Sequence, residues 1–599
     1  MDPIRVAIER PIAVIAAVLM AVMFGALAIT SIPIQLTPDV RKPVIEIRTE
    51  WPGAAPAEVE REIVNEQEDV LTGLEGLESI TSRSETGRGS VELEFAVGAN
   101  MDRALLLVSN RLDRVSGYPD EAREPTLDTS GSDDNPIAWF QILRVGGDDR
   151  PMQEYGDFVD DVVKERLERV EGVSLVNVYG GVSRELQVLV DPQRLAAYRI
   201  TIPEVVNKLQ SENVSLSAGD VDEGKRRYVV RAEGELNNVE AVRDVVLRSE
   251  EDGGRVFLRD VAEVRFGYAD PVARIRYQGE PGIAVNAVRE TGANVIETMR
   301  GIRVAVEELR AGPLAREGLE MRQSYDETIY IDGAIDLVIQ NIWVGGALAA
   351  GVLLIFLRSA RATLVVSIAI PVSIVASFVA MSALGRTLNV ISLAGIAFAV
   401  GMVVDAAIVV LENIYRLRQQ GKPPHIAAYE GARQVWGAIL VSALTTVLVF
   451  MPVLVMELEA GQLFRDIAVA ISVSVLLSLV VAVTVVPALC AKLLGGGRTR
   501  LTVTPLPLVD HFGRAFAWLV SAYARATVRF RLVGLTTVVA ITGAAIWGAY
   551  AFLPKLEYLP EGNRNLVFGV VVPPPGYNLA TTLATAERIE STARPLWEK

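Results

Sequence analysis

Seven long apolar segments constrain the fold of this 599-residue chain more than any other feature. A helix needs about 20 apolar residues to cross a bilayer, and each segment meets that length. Because the bilayer interior offers no hydrogen-bond partners, a single apolar segment can cross it only as a helix. The sequence therefore predicts a membrane α-helical bundle with spans at 12–32, 335–357, 364–384, 391–411, 436–456, 467–494 and 533–552.

The short loops between these segments indicate the orientation of the chain. Arginine and lysine cluster after the second, fourth and sixth segments, whereas the loop 456–463 is poor in them. Basic short loops face the cytoplasm, so the amino terminus is predicted to be cytoplasmic. The segment 33–333 and the chain after 552 are then predicted to lie outside. The first segment is too long for a signal peptide and lacks a clear cleavage site, so we expect a retained helix.

Composition excludes several kinds of protein. Half of the residues are apolar, yet 22% are charged and the net charge is −15, which fits a membrane protein with a large soluble part. Acidic residues exceed basic ones in 33–333, which favours solubility and argues against nucleic-acid binding. One cysteine, Cys490, and two histidines permit neither a disulfide framework nor a Cys/His metal cluster. No nucleophile–base set or phosphate loop occurs, so we expect neither an enzyme nor a cofactor.

The outer segment 33–333 alternates strands and helices. Residues 43–127 predict a strand, a helix, two strands and a helix, which is the split βαβ pattern of ferredoxin-like units. A strand-rich interruption at 181–266 contains a short hairpin around 220–225. The predicted fold class is a membrane α-helical bundle plus an α+β outer part. A second ferredoxin-like unit surrounds the interruption, in the segments 137–145, 155–167, 173–179 and 273–309.

A weak internal repeat is present in the sequence, because the residues after the first span resemble those after the seventh span. The first span is followed by Leu36-Thr-Pro-Asp, a strand, Pro52-Gly53 and a helix. Repeated halves are typical of transporters. A strand and a helix cannot bury a core alone, so we expect the chain to be a fragment of a protein nearly twice as long. The matching features after the seventh span are Leu559-Pro-Glu-Gly, a strand at 566–572, Pro575-Gly576 and a helix at 580–593.

Asp405 lies deeper within a predicted span than any other acidic residue. Along a helix it is roughly 24 Å from Asn389 and roughly 16 Å from Arg416. A carboxylate at the bilayer centre costs on the order of 2.5–3.5 kcal/mol, so such residues face protein or water and usually mark an ion or proton path. Asp405 therefore predicts a membrane transporter in which this carboxyl takes up and releases protons. A structural carboxylate in a permanent pair is the alternative.

The run from Gly401 to Asn413, Gly-Met-Val-Val-Asp-Ala-Ala-Ile-Val-Val-Leu-Glu-Asn, resembles the fourth transmembrane helix of resistance–nodulation–division (RND) efflux pumps. Phe356-Leu-Arg-Ser-Ala-Arg-Ala-Thr-Leu364, Val486-Pro-Ala-Leu-Cys490 and Leu559-Pro-Glu-Gly also look like family segments, in matching order. The resemblance implies a homotrimer in the inner membrane of Gram-negative bacteria. It also implies a periplasmic porter domain and a docking domain, a periplasmic adaptor and an outer-membrane channel. A lysine from the second half would pair with deprotonated Asp405.

Two departures from the family pattern affect the expected function. Multidrug members usually carry two adjacent aspartates, whereas Asp405 is followed by Ala406, as in heavy-metal members. One observation argues against metal cations as substrates: the part of this helix before Asp405 offers only Met402 as a soft ligand. We therefore expect organic compounds as substrates and keep metal cations as the alternative. The hairpin around 220–225 is also shorter than the loop by which multidrug members reach a neighbouring subunit, so weaker trimer interlocking is expected.

Other candidate residues have two interpretations each. Trp139 and Tyr179 fall near the pocket phenylalanines of multidrug members, and aromatic faces suit bulky amphiphilic ligands; a place in the strand core is the alternative. Glu412 should share the helix face of Asp405, and it is interpreted as a helix-end residue with proton exit as the alternative. Thr445 and Thr446 are expected to donate to their own helix rather than across the bundle.

The predicted function is proton-motive-force-driven export of organic compounds by proton antiport. A heavy-metal exporter and a non-transport membrane scaffold or export accessory are the alternatives. Seven regions are predicted: a first transmembrane helix, 1–32; porter subdomain 1, 33–136; porter subdomain 2, 137–333, with the docking insertion at 181–266; transmembrane helices 2–6, 334–494; a linker with an interfacial amphipathic helix, 495–530; transmembrane helix 7, 531–552; and the start of a second porter region, 553–599.

Overall fold

The chain divides into two compact units, and each unit is formed by two separate stretches of the sequence. One unit comprises Met1–Ser132 with Thr328–Val570, and the other comprises Asp133–Glu327 with Val571–Lys599. The computed structural model describes residues 2–38, 43–115, 117–130, 136–145, 150–232, 234–249, 254–290, 292–456, 458–494, 507–553, 569–574 and 576–597.

Helices occur in both units. In chain order, the α-helices of the described residues are α1 Pro3–Glu9, α2 Pro11–Ser31, α3 Pro56–Val59, α4 Asn65–Leu71, α5 Met101–Leu112, α6 Gly156–Phe158, α7 Glu165–Glu168, α8 Pro192–Ala197, α9 Ile202–Glu212, α10 Val239–Arg243, α11 Leu258–Val261, α12 Val295–Leu309, α13 Thr328–Leu357, α14 Ala360–Ala383, α15 Val390–Gln419, α16 Pro424–Val455, α17 Glu459–Leu493, α18 Pro507–Arg529, α19 Arg531–Ala551 and α20 Leu579–Ala593. Short π-helical segments join α3 to α4 and α6 to α7, so each pair forms one continuous helix.

The strands form antiparallel sheets. In chain order they are β1 Val44–Glu50, β2 Leu77–Glu85, β3 Arg88–Phe95, β4 Thr126–Ser130, β5 Pro136–Arg144, β6 Val173–Tyr179, β7 Arg184–Val190, β8 Leu216–Glu223, β9 Arg226–Ala232, β10 Val246–Ser249, β11 Arg255–Phe257, β12 Ala262–Tyr268, β13 Ile275–Tyr277, β14 Glu280–Arg289 and β15 Leu319–Asp326. A four-stranded sheet has the order β2-β3-β1-β4. A five-stranded sheet has the order β13-β14-β5-β15, with β6 also pairing with β14. The remaining pairs are β7 with β12, β8 with β9 and β10 with β11.

The seven predicted spans are confirmed as helices that are long and apolar enough to cross a membrane. They are α2, α13, α14, α15, α16, α17 and α19. Four of them are clearly longer than the apolar segments predicted, because α13 begins at Thr328, α15 continues to Gln419, α16 begins at Pro424 and α17 begins at Glu459. These additional turns contain polar residues, which hydropathy alone does not assign to a span.

Helix α15 lies at the centre of the helical bundle of the first unit, where it packs against α13, α14, α16 and α17. Small residues allow close approach. Gly395 faces Ile467 and Ala470 of α17, and a methyl group at Gly395 would lie 3.0 Å from the Ile467 side chain. Outside the bundle core, α19 buries none of its side chains and α18 packs mainly on α19.

The four-stranded sheet of the first unit buries one face against helices. Ile45, Ile47, Val91 and Leu93 alternate with more exposed residues and belong to one apolar core with residues of α3, α4 and α5. The strand, helix, two strands and helix predicted for 43–127 are confirmed. The sequence analysis did not predict β4, which pairs with β1 along its whole length; its sequence Thr-Leu-Asp-Thr-Ser lacks an apolar alternation.

The second unit contains the five-stranded sheet and the predicted interruption. The predicted segments around β5, β6, β14 and α12 are confirmed. The interruption at 181–266 is strand-rich as predicted, but it also contains four helices, α8 to α11, which the prediction omitted. Its separate apolar core includes Leu195, Val205 and Val264. The predicted hairpin is β8 and β9, with exposed side chains on both strands.

The carboxyl end matches the repeat only in part. Helix α20 confirms the helix predicted at 580–593. The strand predicted at 566–572 is wrong for its described part, because residues 569–572 have no strand geometry; residues 566–568 lie outside the described residues. No described strand pairs with this segment, and an unpaired strand would leave its backbone N–H and C=O groups without sheet partners.

Candidate functional site

Asp405 projects into a groove between α13 and α15. The groove has a volume of about 690 Å³, and the Asp405 side chain is exposed in it. Within the part of the chain that the structure describes, Asp405 forms no hydrogen bond or ion pair. The groove is lined by Asn341, Gly345, Leu348, Ala349, Val352, Leu353, Phe356, Leu357, Ala397, Val400, Gly401, Val404, Asp405, Ile408 and Glu412.

The polar side chains of this groove are few. Asn341, Asp405 and Glu412 are its polar members, and no described lining residue is basic. Glu412 lies roughly 10 Å along the helix from Asp405, and both line the groove, which confirms the predicted shared face. A cation that pairs with Asp405 must therefore come from outside the described lining.

Helix α15 is held by polar contacts along its length, which fixes where Asp405 points. At its start, the Asn389 side chain accepts from the Ser392 N–H at 2.7 Å and so caps the helix. Near Asp405, the Ser478 hydroxyl of α17 donates to the Val403 carbonyl at 2.8 Å. At its end, Arg418 is 3% exposed and donates to the Leu494 carbonyl at 3.0 Å.

A second acidic residue, which the sequence analysis missed, lies at the start of α17. Asp466 is only 4% exposed. It accepts from the Asn389 amide at 2.7 Å and faces the Arg386 guanidinium at 3.5 Å. Asp466 was overlooked because it immediately precedes an apolar segment. The available signal was the pair Arg386 and Asn389, which likewise immediately precedes another span.

The two threonines of α16 behave as predicted. Thr445 donates to the Val441 carbonyl at 2.7 Å, and Thr446 donates to the Ser442 carbonyl at 3.1 Å. Both belong to their own helix, so neither ties α16 to a neighbour. Together with Met402 they line a second groove of about 420 Å³.

The structure brings Trp139 and Tyr179 together in the second unit. Their rings stack with centroids 5.6 Å apart and planes 23° apart. Trp139 is half-buried and Tyr179 is 40% exposed, whereas the alternating neighbour Phe140 is fully buried. Successive side chains of a strand point to opposite faces, so the pair lies on the face opposite Phe140.

Amide side chains surround this aromatic pair. The strand register places Asn286 opposite both Trp139 and Asn177, and the Asn177 amide donates to the Asn286 side chain at 3.0 Å. Gln141, on the same face of β5, has a buried side-chain oxygen without a hydrogen-bond partner among the described residues. The sheet therefore carries the stacked rings together with amide side chains whose hydrogen-bonding capacity is only partly used.

The sequence matches a known family of proteins over nearly its whole length, which includes both units. The model of the AcrB/AcrD/AcrF family, ACR_tran, matches residues 3–596. The chain belongs to this family. The predicted resemblance to RND permeases is thereby confirmed. Seven helices of the described residues are long and apolar enough to cross a membrane, and the chain is an inner-membrane protein.

The similar proteins include three curated relatives. Each carries the name multidrug resistance protein MdtC. They come from Yersinia enterocolitica serotype O:8, at 30% identity, and from Yersinia pestis bv. Antiqua and Yersinia pseudotuberculosis serotype O:3, both at 31% identity. Each match extends over 576 residues and covers 94% of this chain and 54% of the relative. The chain thus spans about half the length of the curated relatives it matches.

Proposed function

We propose that the protein is the permease subunit of a proton-driven RND efflux pump that exports organic compounds by proton antiport. The single observation that carries this proposal is the exposed, unpaired Asp405 carboxyl in a groove whose described lining contains no cation. A carboxyl in such surroundings is suited to exchange a proton or to pair with an incoming cation, and these are the two states that antiport requires.

The coupling step follows from these two states. A lysine from the second half, which the resemblance implies, pairs with deprotonated Asp405 across the groove, and protonation breaks the pair. Helix α15 then shifts and drives the outer part through alternating states. One charge that crosses 100 mV supplies about 2.3 kcal/mol, so one or a few protons per cycle support modest uphill export.

The predicted domain boundaries stand as part of this proposal. The order strand–helix–strand–strand–helix–strand in β1 to β4 supports a ferredoxin-like porter subdomain at 33–136. The five-stranded sheet supports a second one at 137–333, with its own insertion core as half of a docking domain. A homotrimer with a periplasmic adaptor and an outer-membrane channel is the assembly that the family implies. The exposed aromatic side chains of α18 support its place as an interfacial helix before the seventh span.

Organic compounds are the substrates that the aromatic sheet face favours. Trp139 and Tyr179 present stacked rings of which the Tyr179 side is 40% exposed, and aromatic surfaces bind varied aromatic molecules with little directional fit. The relatives are named as multidrug resistance proteins, which agrees with this substrate class. A heavy-metal cation is the second candidate, favoured by the single aspartate followed by Ala406.

The test replaces Asp405 in the full-length pump. Asp405→Asn removes proton exchange and keeps the side-chain volume, so we expect no proton-gradient-driven export from reconstituted vesicles while the variant assembles normally. Glu412→Gln, in the same groove, is the matched control and should keep export. Export by Asp405→Asn at the wild-type rate would refute the proposed function, and export of Zn²⁺ or Cu⁺ instead of organic dyes would select the second candidate.

A further inference from the structure

Helix α20 is attached to the five-stranded sheet of its own unit through one arginine. The Arg276 Nε atom donates to the Glu590 carboxylate at 2.8 Å, and the Arg276 Nη1 atom lies 3.4 Å from the Glu587 carboxylate. The Arg276 and Glu590 side chains are only 22% and 19% exposed, respectively. A charge-assisted pair that is largely shielded from water is stronger than an exposed one, so this contact is more than an incidental surface pair.

The turn of the β13–β14 hairpin completes the contact. Gln278 and Gly279 join the two strands, and their φ values of 51° and 93° are those of the tight turn that suits a hairpin. The Gly279 N–H points out of this turn and donates to the second oxygen of Glu590 at 2.7 Å. Both oxygens of Glu590 are thus bound by the hairpin, and this two-point contact fixes the direction of β13 against α20. We call Arg276, Gly279 and Glu590 the α20 clamp.

A short path leads from the clamp to the aromatic pair. Ile275, next to Arg276, packs against Gly180, and a methyl group at Gly180 would lie 2.7 Å from the Ile275 side chain. Gly180 has a φ of 87°, a conformation that favours glycine. Tyr179 immediately precedes Gly180 and stacks on Trp139. The position of β13 therefore limits the position of the Tyr179 ring.

We propose that Arg276 and Glu590 are positioning residues for the aromatic pair: by holding β13 against α20, they keep Tyr179 stacked on Trp139 and so set the affinity of this face for planar aromatic compounds. The part about affinity rests on the proposed substrate site. The structural part does not, because the clamp and the stack can be measured without transport. Movement of α20 would loosen or tighten the stack through the same path.

The experiment uses the full-length pump with every tryptophan except Trp139 replaced by phenylalanine. Acrylamide quenching reports the exposure of Trp139, and fluorescence polarisation reports binding of rhodamine 6G. We expect Arg276→Glu and Glu590→Lys each to raise the quenching constant clearly and to weaken rhodamine 6G binding about fivefold. Glu590→Gln keeps an oxygen for the Gly279 N–H and loses the charge, so it should change both quantities in the same direction by less.

A matched control is available in the same unit. Arg166 donates to Glu308 at 2.9 Å and 2.6 Å and joins α7 to α12, away from β13. Arg166→Glu should leave the quenching constant and the rhodamine 6G affinity unchanged. If the charge-reversal variants do not assemble, the Glu590→Gln variant provides the test. A quenching constant of Trp139 in that variant equal to the wild-type value would overturn the proposal.

The outcomes separate the clamp from the proposed transport function. Neither measurement needs proton flow, so the same changes should appear in an Asp405→Asn background. Altered quenching with unaltered rhodamine 6G binding would overturn the role in affinity, whatever Asp405→Asn does to export. Export that continues in Asp405→Asn would refute proton coupling at that residue and leave the clamp intact.

Discussion

Helix α16 lies close to α15 at Gly431, and adding one methyl group there should separate the two helices. A Cβ at this position would lie 2.7 Å from Ile414 Cγ1, 2.9 Å from Ile414 Cα and 3.0 Å from Ile414 N, whereas ordinary contacts begin at 3.4 Å. Because two of these atoms are backbone, Gly431→Ala must move α16 outward by about 0.5 Å. The Asn413 amide, which donates to the Gly431 carbonyl at 2.8 Å, would then lose good hydrogen-bond geometry.

The expected cost follows from three contributions. Overpacking of a tight contact costs about 1–3 kcal/mol, and the weakened hydrogen bond costs about 0.5–1.5 kcal/mol. Alanine is a better helix former than glycine by about 1 kcal/mol, which offsets part of this. Gly431→Ala should therefore lower the free energy of unfolding by about 0.5–3.5 kcal/mol, measured in detergent by titration with SDS and circular dichroism.

Gly437→Ala is the matched control on the same helix. Nothing lies within 4 Å of a methyl group at Gly437, so only the gain in helix propensity remains. This variant should be as stable as the wild type or more stable by up to about 1 kcal/mol. The two variants thus have opposite signs, and an equal effect of both would refute the inference that α15 and α16 are in close backbone contact at Gly431.

Two further predictions concern buried and exposed charge pairs. Asp466→Leu removes the carboxylate that binds Asn389 and Arg386 and should destabilise the protein by about 1–3 kcal/mol, because the buried Asn389 amide loses a charged acceptor. Asp332→Leu, at an exposed position of α13, should not; equal denaturation midpoints would contradict this. The two hydrogen bonds from Arg48 hold the pKa of Glu46 below its ordinary value of 4.5. This pair therefore stabilises the folded state at pH values above 4.5, and its contribution is lost as the pH falls through the lowered pKa of Glu46. Arg48→Gln should therefore cost less than about 1 kcal/mol at pH 7, because the pair is partly exposed, and nothing once Glu46 is protonated; a pH-independent difference in unfolding free energy would show that Glu46 is not its source.

The spans were predictable because length and apolarity suffice to identify a membrane helix. The strands β1 and β3 were predictable for a similar reason, since one buried face imposes alternation on them. Strand β4 was not, because its residues are polar and it forms only through its pairing with β1. Helix α9 carried a signal that was overlooked: Thr201 and Glu204 form a capping box at its start.

Contacts between distant residues account for the other omissions. The carboxyl of Asp466 and the amide of Asn389 meet across 77 positions of sequence, and no local pattern shows this. Trp139 and Tyr179 were each predicted as pocket residues, but their stacking depends on the intervening strand β14 and its register. Both interpretations of the two rings, as pocket residues and as strand-core residues, stay predictions, because Trp139 is half-buried and Ile137 and Leu143 on its face of β5 are fully buried.

The two sides of α15 differ in a way that supports proton coupling. One side is tied to α17 through Asn389 and Val403, and near its end Arg418 binds the Leu494 carbonyl directly after α17. The other side carries Asp405 and Glu412 into a groove. If α15 had no hydrogen bonds to its neighbours on either side, a change in the charge of Asp405 would move only the Asp405 side chain. Because α15 is bonded to α17, a force that acts on Asp405 is transferred to α17, and a change in one carboxyl can displace two spans together.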